Sequence, residues 1–333
     1  ERADASFFLG WTWIGSWLGA LEAVGIALPC LLAVADEGAR DVALALIGQG
    51  RVRRKLGSVP ALWLNESGTR DGDRPFIEYN GLLCRAGAEA EAARALCEAL
   101  AHRHNWSVLH LSGVAGDCLL ADVAGARRRV VRDVSPAYHV DLAAVRDAGG
   151  DYLALLSSNT RSQIRRSLKE EAGPPGIEVA ADTATVEQWL AEMRRLNAGR
   201  HADNAWDNAF FCDFARRITL AGLANGSVEL LRIGCGGEPI GYLLNFIQGG
   251  RAMNYQSAFA EPRTAKSKPG LMAHAAAVAR YAERGLALYS LLAGKDRYKQ
   301  SLSTGAEELH WWTVERFDLR LEAEALLRRL MRK

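Results

Sequence analysis

The chain has 333 residues, of which 49% are hydrophobic and 24% are charged, and its formal net charge is +2. These values are typical of a folded globular protein with room for two domains, and they exclude a disordered chain. So small a net charge gives no support by itself to nucleic-acid binding. The basic residues do cluster, at positions 51–55, 127–132 and 161–169.

The cysteine and histidine patterns favour no metal centre. The six cysteines are scattered and form no CxxC pair, which predicts neither a structural zinc site nor a disulfide framework. His102 and His104 close a predicted helix, and no carboxylate pattern accompanies them. We therefore expect no metal, and a reducing cytoplasm suits this cysteine usage best.

The first elements lie in an almost uncharged run. Between residues 7 and 35 the only charged residue is Glu22, and such a run is long enough to span a bilayer. Several glycines and Pro29 interrupt it, however, and no basic flank precedes it. Trp13 and Trp17 fall at helical spacing. We predict a helix followed by a short strand, with no membrane span. Because Glu1 is not a Met, we expect that a segment could precede it.

The rest of the first half reads as strands around one helix. Apolar runs predict strands at 31–35, 42–47, 61–64, 106–111 and 130–134, with a further candidate at 76–79. An Ala-rich stretch predicts a helix at 88–103. The order is a hairpin, a helix and a further strand.

A basic helix separates the halves. Residues 151–169 carry a partial apolar stripe, and Arg161 and Arg165 fall four residues apart on one face. These guanidinium groups suit a phosphate or a carboxylate of a ligand, and equally suit acidic groups of a neighbouring domain. Both interpretations stay open at this point.

The second half repeats the order of the first. A hairpin is predicted at 228–247, a strand at 251–259, a helix at 267–285, a buried strand at 285–294 and a last strand at 311–317. We therefore predict an α/β fold (α+β mixed sheets) with two copies of one unit, each a mixed sheet flanked by helices. The predicted domains are 1–150 and 151–333, and the second includes the inter-domain helix 151–172.

Two stretches of the second half are candidate sites. Pro269 opens a helix whose N–H groups would attract an anion, and Arg263 and Lys268 add positive charge suited to a phosphate. The simpler interpretation is an ordinary capped helix with solvated basic residues. Gly294 ends the buried strand and is followed by a charged aromatic cluster at 295–299, at the kind of strand end where α/β proteins place sites.

Four features in this order resemble the CelD-type acetyltransferase family, a branch of the GNAT superfamily related to the FemAB aminoacyltransferases. They are the Trp-rich first helix, the Asn159-Thr-Arg161-Ser-Gln-Ile-Arg165 segment, Pro269-Gly270-Leu271 opening a helix, and Gly294-Lys-Asp296-Arg-Tyr298-Lys299. The resemblance covers nearly the whole chain. It implies tandem GNAT-like folds, an acetyl-CoA or another acyl-CoA bound in the second, and acyl transfer to an amine.

The resemblance also implies roles for individual residues. Asp296 would orient or deprotonate the amine, and Tyr298 would protonate the leaving sulfur. Lys299 would complete the catalytic group, or would only pair with Asp296 and hold the loop. Such proteins often carry an acidic residue in the strand before the glycine, where this chain has Ser290, so the identity of a base is open.

Cofactor and substrate contacts follow the same resemblance. The expected cofactor-binding residues are Arg263, Lys268, Pro269 and Gly270. Arg161, Tyr255 and His201 are expected near the substrate, although a buried cross-strand aromatic is an alternative interpretation of Tyr255. His201 is expected there because it lies in the loop at 199–203, and Arg161 because of its place on the basic helical face.

Two other function classes remain open. A FemAB-like enzyme would use an aminoacyl-tRNA and would need a broad basic surface. A degenerate transferase fold would act only as a scaffold, and the missing acidic residue favours that. The acceptor is a small molecule, a sugar or a peptide-like amine, and a homo-oligomer is compatible with the sequence.

Overall fold

The computed structural model describes residues 6–200 and 203–331. These residues form two compact units: unit 1 holds the described residues up to Val134 and from Glu308 onward, and unit 2 holds Ser135–Glu307. Two strands, β6 (Arg128–Asp141) and β12 (Gly305–Glu315), have residues in both units. The two units differ from the predicted halves 1–150 and 151–333.

Hydrogen bonds and packing explain where residues 135–150 and the last residues belong. Within unit 2, the end of β6 pairs with the strand at 288–293, and the N–H of Leu142 donates to the carbonyl of Ala287 at 2.9 Å. Within unit 1, Leu321 packs in a core with Val59 and Trp63. The end of the chain therefore completes the first unit.

Unit 1 is a mixed sheet with helices. Its other strands are β1 (Cys30–Ala35), β2 (Asp41–Arg54), β3 (Gly57–Leu64), β4 (Leu83–Cys84) and β5 (Val108–Ala115). The order is β1-β2-β3-β5-β12, with β4 paired to β2. The β3–β5 pair is parallel, and the β1–β2, β2–β3 and β5–β12 pairs are antiparallel. The helices are α1 (Trp11–Ala23), α2 (Glu89–His102) and α9 (Leu319–Leu330).

The apolar run at 7–35 forms a helix and a strand, as predicted. The helix α1 has 13 residues and buries Trp13 and Trp17, and β1 follows it as a separate element. Across residues 6–200 and 203–331, no helix is both long and apolar enough to cross a membrane.

A buried asparagine pair fills the end of the parallel pair in unit 1. The strands β3 and β5 pair from Ala61 to Trp63. Beyond that point, the N–H of Asn80 donates to the Gly113 carbonyl at 3.0 Å, and its Nδ2 donates to the Leu64 carbonyl at 2.9 Å. Asn65 Nδ2 donates to Asn80 Oδ1 at 2.8 Å. Asn80 thus connects the two strand ends.

The predicted candidate strand at 76–79 is wrong. Phe76 and Tyr79 have φ angles of 55° and 47°, which lie in the left-handed region and are incompatible with an extended strand. Asn80 makes only an isolated bridge to Val114. The apolar residues of this stretch are therefore used in an irregular segment.

Unit 2 is a second mixed sheet flanked by helices. Its strands are β7 (Pro175–Val179), β8 (Val228–Cys235), β9 (Glu238–Gln248), β10 (Arg251–Phe259) and β11 (Leu288–Ala293), in the order β6-β11-β10-β9-β8-β7. The β10–β11 pair is parallel and the others are antiparallel. The helices are α3 (Leu142–Asp147), α4 (Ser158–Lys169), α5 (Thr183–Asn197), α6 (Ala209–Asn225), α7 (Pro269–Glu283) and α8 (Arg297–Leu302).

The Ala-rich helix α7 lies at the centre of unit 2. Its buried face combines small residues such as Ala273 and Ala277 with the large Tyr281, in one core with Leu243 of β9 and Tyr289 of β11. Alanine has the highest helix propensity and allows close approach to a sheet. The predicted fold class, mixed sheets flanked by helices, is confirmed.

Candidate active site

A cavity of about 920 Å³ opens in unit 2 where two parallel strands stop pairing. The strands β10 and β11 pair only from Arg251 to Met253, although both continue, to Phe259 and Ala293. The register of β10 against β9 shifts between Asn254 and Gln256, so Tyr255 is the extra residue of a β-bulge. The gap between the strands supplies room for a ligand.

The strand β11 is also irregular beside this gap. Its register against β6 shifts between Ser290 and Ala293, and the buried Leu292 has a φ of 59°. Such a conformation is costly for a bulky residue and is found most often at functional sites. The N–H of Leu292 donates to Ser290 Oγ at 3.1 Å, which holds the irregular turn.

The start of α7 lines the same cavity through Lys268, Pro269 and Gly270. Lys268 is the N-cap and gives no side-chain cap, and Pro269 occupies the first turn. The N–H of Lys268 donates to Ser167 Oγ at 2.5 Å, which fixes the helix start to α4. Uncapped N–H groups and the helix dipole together favour an anion at this end.

Gly270 lies directly against an aromatic ring. A Cβ at Gly270 would come within 3.1 Å of the Phe259 ring, and one at Gly241 would come within 2.7 Å of the same ring. Phe259 also lines the cavity. The two glycines therefore allow one aromatic ring to sit between β9 and the start of α7.

The cluster after Gly294 lines the cavity as well. Asp296, Tyr298 and Lys299 all border it. Tyr298 is 41% exposed. The partial burial of its ring, and then the Asp296 charge, raises the pKa of the phenol, which therefore keeps its proton at neutral pH. Lys299 Nζ donates to the Ala293 carbonyl at 2.6 Å and so ties α8 to the end of β11.

His274 lies one turn into α7, beneath the phenol of Tyr298. It is 1% exposed, its Nδ1 lies 2.8 Å from the Tyr289 hydroxyl, and its ring stacks on Tyr298 at 6.0 Å between centroids. Burial, and then the Lys299 charge, lowers its pKa to about 3. The imidazole is therefore neutral at physiological pH and supports the Tyr298 ring by stacking.

The other predicted site residues lie in different places. Tyr255 lines the cavity and stacks on Phe246 at 4.7 Å between centroids. Arg263 is not among the lining residues and pairs with Glu171 at 3.4 Å. Arg161 lies on α4, also away from the lining. His201 lies outside the described residues.

The cavity wall also contains residues that the sequence analysis missed. Trp206 lines the cavity and is 3% exposed, and within the described part of the chain its Nε1 has no hydrogen-bond partner. Ser257 lines the cavity too, and bonds to Asn254. A tryptophan in a polar loop and a serine in a strand give little signal in a sequence.

Metal ligands do not gather in the described residues. No group of three or more His, Cys, Asp or Glu side chains could hold a metal ion there. The cavity instead offers helix N–H groups, ammonium groups, a protonated phenol and a carboxylate. That set suits the binding of an anionic donor and a proton-transfer reaction.

A family model matches part of unit 2. Residues 158–300 match the family model described as an acetyltransferase (GNAT) domain, a segment that includes β7 to β11 and α7. No protein with a curated description matches the sequence significantly.

Solved structures resemble nearly the whole chain. FemX is 10% identical with a TM-score of 0.56, covering 93% of this chain and 92% of its own. L-PGS from Bacillus licheniformis is 9% identical with a TM-score of 0.53, covering 96% and 97%. The C-terminal domain of a putative lysylphosphatidylglycerol synthetase from Agrobacterium fabrum is 12% identical with a TM-score of 0.51, covering 94% and 95%. At these identities the likeness shows the fold.

Proposed function

We propose that this protein is an acyl-CoA-dependent N-acyltransferase that transfers an acetyl or other acyl group to an amine of a small molecule, sugar or peptide-like acceptor. One observation carries the proposal: the uncapped start of α7 and the gap between β10 and β11 border one cavity. A pyrophosphate suits the helix start, and an extended thiol arm suits the gap. The GNAT match at 158–300 supports the same reaction class.

The reaction forms a carbon–nitrogen bond, breaks a carbon–sulfur bond and moves two protons. The amine nitrogen attacks the thioester carbonyl, the carbon–sulfur bond breaks, and the amine loses a proton. In our proposal Asp296 orients the amine and accepts its proton, and Tyr298 donates the phenol proton to the leaving thiolate. Lys299 holds α8 in place and lies beside this pair.

The finer assignments belong to the same proposal. We place the chain in the CelD-type branch on the four features named above. A cytoplasmic location is supported by the cysteines, which are all free. Lys268, Pro269 and Gly270 are the proposed donor-binding residues, and Arg263 is proposed to act through Glu171 on the loop before α7.

A second candidate, aminoacyl transfer from a tRNA, is favoured by one observation. The helix α4 carries Arg165, Arg166 and Lys169 on exposed positions, and within the described residues none of them forms an ion pair. Unpaired basic side chains along one helix suit a phosphate backbone. Binding of tRNA that weakens steeply with salt would support this candidate over acyl-CoA.

Thermal melting with and without acetyl-CoA, CoA and longer acyl-CoAs tests the first proposal. A ligand that binds only the folded state raises the melting temperature by mass action. We expect a saturable rise in the wild type that Gly270→Asp abolishes, because the new carboxylate meets the phosphates and its Cβ presses on Phe259. Gly285→Asp at the far end of α7 is the control. No rise with any ester at millimolar concentration would reject acyl-CoA dependence.

A further inference from the structure

A chain of buried hydrogen bonds leads away from the cavity wall. Ser257 Oγ donates to Asn254 Oδ1 at 2.8 Å, and Asn254 Nδ2 donates to Asn245 Oδ1 at 3.0 Å. Asn245 Nδ2 donates to the Tyr281 hydroxyl at 3.1 Å, which donates to Glu229 Oε2 at 3.1 Å. Ser257 and Asn254 line the cavity. The chain therefore joins the cavity to a carboxylate.

The middle of this chain is sealed from water. Asn245 and Tyr281 are both 0% exposed, and Asn254 is 7% exposed. Buried polar groups without partners are costly, so each of these side chains depends on the next. Glu229 ends the chain and is paired with Arg284 at 2.5 Å and Arg280 at 3.7 Å.

The carboxylate fixes the direction of every bond in the chain. Glu229 has only acceptors, so the Tyr281 hydroxyl must donate to it. The Tyr281 oxygen then accepts from Asn245, which turns the Asn245 oxygen toward Asn254. Asn254 in turn presents its own oxygen to Ser257. The orientations of the Asn245 and Asn254 side-chain amides thus follow from the charge of Glu229.

The phenol in the middle keeps its proton. Burial, and then the nearby Glu229 charge, raises the pKa of Tyr281 well above its ordinary value. The Tyr281 proton therefore stays available for donation to Glu229. At the other end of the chain, Ser257 donates its hydroxyl proton to Asn254. Ser257 Oγ can therefore only accept a further hydrogen bond.

We propose that Ser257 accepts a hydrogen bond from an N–H group of the bound substrate, and that the chain from Asn254 to Glu229 positions it for that purpose. This inference rests on the proposed acyl transfer. The N–H belongs either to the amine of the acceptor or to an amide of the pantetheine arm of the acyl donor. Ser257 is a binding residue in this scheme, and Asn254, Asn245, Tyr281 and Glu229 are positioning residues.

The test compares Ser257→Ala and Tyr281→Phe with the wild type, and uses Thr219→Val as a matched control. Thr219 is 1% exposed in unit 2, and its hydroxyl bonds only within α6, to the Ala215 carbonyl. Three quantities are measured: the Kd of acetyl-CoA by calorimetry, the KM for glucosamine, spermidine and alanine amide by release of free CoA, and the hydrogen exchange of the Asn245 and Asn254 side-chain amides by NMR.

The first two measurements identify the source of the N–H group. One lost hydrogen bond should weaken binding roughly 2- to 10-fold. A rise in the acetyl-CoA Kd of Ser257→Ala indicates the pantetheine amide, and a rise in KM alone, for whichever amine is turned over, indicates the acceptor. Tyr281→Phe should move the same quantity by a smaller factor, and Thr219→Val should move neither. If Ser257→Ala changes neither quantity, or if Tyr281→Phe matches the control, the proposal is overturned.

The exchange measurement separates this inference from the proposed function. In the protein without ligand, Tyr281→Phe should speed exchange of the Asn245 and Asn254 side-chain amides, and Thr219→Val should not. Exchange that is unchanged in Tyr281→Phe overturns the directed chain itself. If acetyl-CoA does not bind the wild type while the exchange result is as expected, the acyl-transfer function and the substrate contact fail and the directed chain stands.

Discussion

Each unit contains a strand–helix–strand connection between two parallel strands. The space beyond the paired residues is filled in unit 1 and open in unit 2. In unit 1 the parallel pair of the β3–α2–β5 connection is followed by Asn80, which bonds to the ends of both strands. In unit 2 the β10–α7–β11 connection ends at an open cavity. The same topology therefore gives a packed structural element in one case and a candidate site in the other.

The N-terminal ends of α2 and α7 also differ, in the charge of their side chains. The first turn of α2 carries Glu89 and Glu91, and Glu89 accepts a bond from the Gly87 N–H at 3.1 Å. The first turn of α7 has no acidic residue, and its N-cap is Lys268. A helix start that is already occupied by carboxylates repels a phosphate, whereas the start of α7 attracts one. Local side chains thus make the start of α7 more favourable for an anion than the start of α2.

The largest expected effect concerns Glu66, which follows Asn65 at the end of the parallel β3–β5 pair in unit 1. Burial, and then the Asp73 charge, raises its pKa from 4.5 to about 8. Between these values the folded state holds a proton on Glu66 that the unfolded state releases, so the contribution of Glu66 to the free energy of unfolding should fall as pH rises from about 4.5 to about 8 and then level off. The total fall is on the order of a few kcal/mol.

Urea unfolding of Glu66→Gln at pH 5 and pH 8 checks this dependence. The neutral amide retains an acceptor for the Ser112 hydroxyl, which donates to Glu66 at 2.7 Å. The Glu66 contribution should therefore disappear, and the free energy of unfolding of Glu66→Gln relative to the wild type should rise from pH 5 to pH 8. Glu22→Gln, at an exposed position, is the control and should retain it. Equal slopes in the two variants would contradict the prediction.

Next in size is the loss of the asparagine that fills unit 1. Asn80→Ala removes the bonds to Leu64 and Asn65 and leaves buried groups unpaired, which should lower the free energy of unfolding by about 2–3 kcal/mol. The Kd of acetyl-CoA should not change. Asn225→Ala, at an exposed helix end, is the matched control in urea unfolding. A loss no larger than that of the control would show that the Asn80 hydrogen bonds contribute little to the free energy of unfolding.

The same acidic N-cap introduced at each of the two helix starts should have a smaller effect, on ligand binding in one case and on helix stability in the other. Lys268→Asp gives α7 a capping carboxylate and should weaken acetyl-CoA binding by about 2 kcal/mol, near 30-fold, by calorimetry. Ala88→Asp makes the same N-cap change in α2 and should stabilise that helix by about 0.5–1 kcal/mol without affecting binding. If both variants bound acetyl-CoA equally well, the contrast between the helix starts would be irrelevant to the ligand.

The smallest expected effect is that of Arg161. Its side chain lies on α4 away from the cavity lining, so Arg161→Ala should change the Kd of acetyl-CoA less than 2-fold. Lys268→Ala serves as the positive control in the same calorimetric series. A large loss of affinity in Arg161→Ala would extend the ligand site from the cavity onto α4.

The sequence was most informative where local signals act. Pro269 and the alanines predict a helix at 267–285, and the structure has it at Pro269–Glu283. The same local reasoning places Asp296, Tyr298 and Lys299 directly after a strand, where the structure brings them to one cavity. Turn residues and helix propensity depend on neighbours in sequence, which explains these results.

Contacts between distant residues were much harder to predict. Arg54 lies in the basic cluster at 51–55, and its position in the sequence does not show that its side chain is only 9% exposed and pairs with Glu315 and Glu324. Asn245 is a polar residue within the apolar strand β9, and this interruption is the signal that a closer inspection could have used. Its partner Tyr281 lies 36 positions away, a separation that no local pattern encodes.

The routing of the chain has a consequence for synthesis. Residues 135–307 form unit 2, whereas unit 1 needs residues from Glu308 onward, which supply most of β12 and all of α9. A ribosome adds on the order of 5–20 residues per second, from the N-terminus. All residues of unit 2 are therefore synthesised before β12 and α9, which the earlier residues of unit 1 need to complete their fold. Released chains that end at residue 307 should thus contain a protease-resistant unit 2 and a protease-sensitive unit 1.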